Sequence, residues 1–65
     1  MKAIDAYRIA LEKEEEIMRQ MIDTASNNGK YWVDCEFVSP ELKSSLNSDG
    51  YTIREDNGNY RIFWR

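Results

Sequence analysis

The side chains that could do chemistry in this 65-residue chain are few, and their types are restrictive. There is one cysteine, Cys35, and no histidine. A nucleophilic thiol needs a neighbouring base or a positive environment to ionise near neutral pH, and no imidazole is present to supply one. Cys35 therefore reads as a small hydrophobe in a strand. The other concentration of reactive groups is the carboxylate run Glu12 to Glu16, interrupted only by Lys13. Hard cations take oxygen ligands drawn from several elements, whereas these carboxylates share one helix flanked by Arg8 and Arg19 at pairing distances. The run is expected to be a solvated face rather than a metal site.

With catalysis and metal chemistry set aside, recognition remains. Arg54 and Arg61, with Trp32 and Phe63, are the candidate binding residues. A guanidinium presents a planar fork of donors to carboxylate or phosphate, and it stacks on aromatic faces. Trp and Arg are also favoured anchors at protein interfaces.

The element that must position these residues is a β-hairpin over residues 50–65. Asn57-Gly58 supplies the two positive-φ positions of a type I′ turn, and a two-residue loop fixes the facing pairs. Asp56 opposes Asn59, Glu55 opposes Tyr60, Arg54 opposes Arg61, Ile53 opposes Ile62, Thr52 opposes Phe63 and Tyr51 opposes Trp64. Alternation then puts Tyr51, Ile53, Tyr60, Ile62 and Trp64 on a core face. Thr52, Arg54, Asp56, Arg61, Phe63 and Arg65 fall on the outer face. Arg54 opposite Arg61 is unfavourable by itself, so Asp34 or Glu36 from a neighbouring strand is expected to pair with Arg61.

Upstream, residues 2 to about 28 predict one long helix. Ile4, Tyr7, Leu11, Met18, Met21, Ile22 and Ala25 recur at spacings of three and four, with Ala3, Ala10 and Ile17 widening the stripe. Asn27, Asn28 and Gly29 close it. Lys30 to Val38 predicts a strand with Tyr31, Val33, Cys35 and Phe37 toward the core and Trp32, Asp34, Glu36 and Val38 outward. Ser39-Pro40-Glu41 opens a short second helix as N-cap, first helical position and dipole-compatible acid, with Leu42 and Leu46 inward. The fold class is α+β in the order α-β-α-β-β. A long N-terminal helix packs on a three-stranded sheet ending in the hairpin, and the short second helix lies between strands 1 and 2. The apolar last strand belongs at the sheet centre, antiparallel to both neighbours. Residues 1–65 form a single domain.

A helix of about 26 residues extends roughly 39 Å, longer than strands of six to eight residues, so part of it must project beyond the sheet. A chain this short buries only about 60% of its unfolded surface, and no disulfide or zinc staple is available. A homo-oligomer held by Ile4, Tyr7, Leu11, Met18 and Met21 is therefore expected. The net charge of −3 and the lack of any basic run argue against general nucleic-acid binding. No apolar stretch approaches the roughly 20 residues of a membrane span. The lone cysteine suits a reducing, cytoplasmic compartment, and no cofactor-binding motif is present.

The order of signals resembles small proteins encoded by bacteriophages of Gram-positive hosts: an acidic amphipathic helix ending in NNGKY, a strand, a short helix, then GYTIREDNGNYRIFW. The resemblance implies a setting in the bacterial cytoplasm during infection, where such proteins commonly act by binding and blocking a host factor or by sequestering a defence signal. The expectation is thus a non-enzymatic binding protein that masks a host protein. The alternatives are a sponge for a small signalling nucleotide and a minor structural component of a virion.

Overall fold

The computed structural model describes all residues from Met1 to Arg65. Its elements are α1 (Ala3–Asn27), β1 (Trp32–Cys35), α2 (Pro40–Ser48), β2 (Thr52–Asp56) and β3 (Asn59–Phe63). This is the expected α+β order.

Helix α1 runs without interruption because no glycine or proline falls inside it. It ends in a double closure: the Gly29 N–H donates to the Ser26 carbonyl at 3.0 Å and the Lys30 N–H to the Ala25 carbonyl at 2.9 Å, the Schellman pattern. Helix α2 starts as its sequence dictates. The Ser39 hydroxyl accepts from the Leu42 N–H at 3.2 Å, with Pro40 at the first turn. That arrangement satisfies one of the donors a helix start leaves open.

The sheet order is β1-β3-β2, with β3 antiparallel to both edges. Asn57 and Gly58 both take positive φ, 52° and 80°, as a type I′ turn requires. The β2–β3 register follows from that turn, from Asp56 facing Asn59 out to Thr52 facing Phe63. On the other side of β3, Trp32 faces Phe63, Val33 faces Ile62, Asp34 faces Arg61 and Cys35 faces Tyr60.

The core draws on every element except β2: Met18, Ile22 and Ala25 from α1, Val33, Val38, Leu42 and Leu46, and Ile62 from the central strand. Around it pack the half-buried Met21, Cys35, Tyr51, Ile53, Tyr60 and Trp64. The rings of Tyr51 and Trp64 meet edge-on at 5.9 Å. Of the hairpin residues assigned inward, Ile62 is fully enclosed and the others are half-buried at its margin.

Three expectations are corrected. The first strand is shorter than residues 30–38, because its last paired residue, Cys35, already faces Tyr60, one residue short of the turn-proximal Asn59. Beyond it the chain bends toward Ser39 and alternation lapses. Phe37 is consequently 66% exposed and Val38 only 1%, the reverse of their assignment. Tyr31, before the first paired residue, is also exposed instead of inward.

Second, Met18 is 4% exposed within one chain and is therefore unavailable to an oligomer interface, while Met21 is half-buried against the core. Residues 1–10 of the same helix are all exposed, the Tyr7 hydroxyl reaching α2 only to donate to the Glu41 carboxylate, and Leu11 is the first that is half-buried. A helical periodicity is indifferent to where its cover ends.

Third, Glu14 and Glu15 are not part of a solvated run. Glu14 accepts hydrogen bonds from the Ser39 hydroxyl and backbone N–H, and Glu15 accepts from the Ser45 hydroxyl at 3.1 Å and pairs with Arg19 at 3.3 Å. Arg19 also pairs with Asp49 at 2.6 Å. These contacts clamp α2 to α1 at the border of the core.

Candidate functional site

The outer face of the sheet is built by the register of β3 against its two neighbours. One row across the sheet reads Trp32, Phe63, Thr52, and the next reads Asp34, Arg61, Arg54. The four candidate binding residues, Trp32, Arg54, Arg61 and Phe63, are therefore brought together on one surface.

Each arginine of this face lies over an aromatic ring. The guanidinium carbon of Arg61 is 5.4 Å from the Trp32 ring centre, that of Arg54 is 5.6 Å from Phe63, and that of Arg65 is 4.6 Å from Tyr31. All three are within the range of cation–π attraction. Arg61 is also held by Asp34 through a fork, Nε to Oδ1 at 2.8 Å and Nη2 to Oδ2 at 3.2 Å. The hydrogen bonds from Arg61 hold the Asp34 carboxyl below the usual carboxylate range, and Asp34 in turn raises the Arg61 pKa.

The arginines differ in what they have left to offer. Arg61 already uses its fork on Asp34. Arg54 and Arg65 have no carboxylate within ion-pairing distance. Together with Tyr31, Trp32, Arg61 and Phe63 they line a shallow groove of about 390 Å³. This patch carries three positive charges, with Asp34 paired to Arg61 and Asp56 near enough to add to the field on Arg61, in a chain of net charge −3. Trp32 remains 42% exposed.

No family model, curated protein or solved structure matches the chain. The site must be read from its own geometry.

Two of its members lie outside the four candidate binding residues. Arg65 follows from hairpin alternation, which had already placed it outward. Tyr31 gives no such signal, since strict alternation assigns it to the core. It joins the patch because its carbonyl accepts from the Trp64 N–H at 3.0 Å, which brings it beside Arg65.

Burial pushes the Cys35 thiol up, so at neutral pH it is a protonated thiol facing Tyr60 across the ladder. No group of three or more acidic or cysteine side chains stands close enough to hold an ion. No helix is long and apolar enough to cross a membrane.

Proposed function

We propose that the protein acts by binding, using the outer sheet face to mask a partner protein, and that it does no covalent chemistry of its own. The observation that carries this reading is the set of three arginine–aromatic stacks on one surface, with Arg54 and Arg65 free of carboxylate partners. An unpaired guanidinium already held over a ring loses little freedom on binding. It suits a partner surface that combines carboxylates with an apolar or aromatic side chain, with the exposed Trp32 alongside as an anchor for that contact to cover. In the setting implied by the resemblance to phage proteins, the partner is a host protein, such as a defence factor, in the bacterial cytoplasm.

One observation favours a second reading, sequestration of a small signalling nucleotide. The groove between Arg54, Arg61 and Arg65 combines phosphate-compatible donors with rings that could stack a base. Thermal shift with a panel of cyclic oligonucleotides separates the two: a sponge gains melting temperature with one of them, whereas a protein-masking face gains none. For the masking reading, one host protein should co-purify in stoichiometric amount, and Trp32→Ala with Arg54→Ala should release it. A virion component would instead appear by mass spectrometry of purified particles.

A further inference from the structure

We infer that the masked partner is held through an extended segment, apolar at alternate positions and carrying a carboxylate, which adds as a fourth strand to the free edge of β1 and sends its inward side chains into the groove between β1 and α1. This inference rests on the masking reading and names the kind of chain the partner presents. Two observations carry it.

The first is an open row of backbone groups. The residues that flank a two-residue hairpin turn form a hydrogen-bonded pair, and such pairs alternate along the ladder. Asp56 facing Asn59 therefore commits Asn59, Arg61 and Phe63 to β2 and leaves Tyr60 and Ile62 to bond β1, where they face Cys35 and Val33. The Trp64 N–H donating to the Tyr31 carbonyl at 3.0 Å continues the same phase. The N–H and C=O groups of Trp32 and Asp34 thus point away from the sheet, and no turn, cap or side chain takes them. Such an edge is a template for another strand. The opposite edge is guarded by Arg54, Glu55 and Asp56 in succession, whereas β1 carries one charge, Asp34, which Arg61 matches.

The second is a groove of about 540 Å³ beside that edge. Its helical wall is the flank of α1 opposite Glu15 and Arg19, which face α2. Ile17, Met21 and Thr24 line that flank, Val33 forms the sheet wall, and Lys30 and Trp32 stand at the rim. Met21 and Val33 pack on the core, while Ile17 is 56% exposed. Side chains of an added strand alternate between faces, so those on the Val33 side enter the groove over Ile17 and those on the other side lie beside the Trp32 ring. Lys30 has no carboxylate within ion-pairing distance, which provides the charge match for an acidic residue. A second copy fits this edge badly. Strand pairing would set the two β1 strands about 4.8 Å apart, and α1, which lies beneath β1, would meet its counterpart inside the roughly 8–10 Å that packed helices require.

The probe is a displayed library of random peptides of about eight residues, selected on the immobilised full chain. Enriched peptides should alternate apolar residues and include an acidic one. Asp34→Pro removes an edge N–H and leaves the β1–β3 bonds in place, and it should weaken an enriched peptide by about tenfold. Asp34→Asn loses the same charge but keeps the N–H, and should change binding by less than about twofold. Ile17→Lys, at an exposed position, should weaken binding by about tenfold or more. In the parent chain, hydrogen exchange of the Trp32 and Asp34 amides should be fast alone and slow with peptide bound. No enrichment over an unrelated control protein overturns the inference, as do peptides that bind Asp34→Pro and the parent equally or that leave those two amides fast. The same variants separate the edge from the sheet face. A partner lost with Arg54→Ala but kept by Asp34→Pro and Ile17→Lys overturns strand addition and leaves the sheet face standing; a partner lost with the edge variants but kept by Arg54→Ala supports strand addition and removes the sheet face.

Discussion

Arg54 and Arg61 face each other across the β2–β3 ladder, yet only Arg61 has an acidic partner, the forked contact to Asp34 on the far edge strand. The like-charge pair is thus tolerated by two different devices: a carboxylate for Arg61 and the Phe63 ring for Arg54. The asymmetry leaves Arg54 available to a partner.

Removing the carboxylate exposes the conflict. Asp34→Asn should lower the melting temperature slightly, and more at low salt, because the pair is exposed and screened. Adding Arg54→Ala should recover most of the loss. The pH dependence has a definite sign. The Asp34 carboxyl is held below its unfolded value, so its contribution is present above the ordinary carboxylate range and is lost as pH falls through the folded value. Acid titration of melting temperature should be shallower in Asp34→Asn than in the parent chain.

At the turn, Gly58→Val should cost about 2 kcal/mol, since a left-handed backbone disfavours any Cβ by roughly 1–2 kcal/mol and a β-branched one more. The cost is conformational, because a Cβ at Gly58 would meet nothing within 4 Å. For a domain of this size that is a fall of about 8–16 °C in melting temperature. A differential scan reads it directly, and an unchanged transition would mean the turn is not type I′.

Ser39→Ala should cost about 1 kcal/mol as a lost N-cap, and somewhat more because it also takes a donor away from Glu14. Urea unfolding should show a lower midpoint with an unchanged slope. Glu14→Gln, which keeps the shape and loses the charge, should cost less than Ser39→Ala.

Leu46 is wholly enclosed. Leu46→Ala should cost about 2–5 kcal/mol, comparable to the whole stability of a domain this small, about 3–10 kcal/mol. The expected outcome is a chain without a cooperative thermal transition. A sharp transition within a few degrees of the parent would show that the core closes elsewhere.

The parts of the molecule legible in its sequence are those where local chemistry leaves one option. Asn57-Gly58 fixes the hairpin register, and with it the meeting of Arg54, Arg61 and Phe63. Ser39-Pro40 fixes the start of α2, and the apolar run of the last strand puts β3 in the centre. What was not legible depends on where tertiary cover stops. Tyr31, Phe37 and Val38 lie beyond the paired part of β1, where alternation no longer applies. Met18 and Ile4 belong to one stripe, and only the packed sheet tells which is core. Glu14 and Glu15 look like any acidic helix face until α2 arrives with Ser39 and Ser45 to meet them.

The binding face is tested most directly by quantitative co-purification from host lysate, comparing the parent chain, Trp32→Ala with Arg54→Ala, and Ile4→Lys. Both variants change exposed side chains, and each is first checked for unchanged circular dichroism and melting. The expected result is one stoichiometric partner recovered by the parent and by Ile4→Lys but lost from the sheet-face variant. Recovery of that partner by the sheet-face variant, or its loss from Ile4→Lys alone, would contradict a role for the Arg54–Phe63 surface in binding.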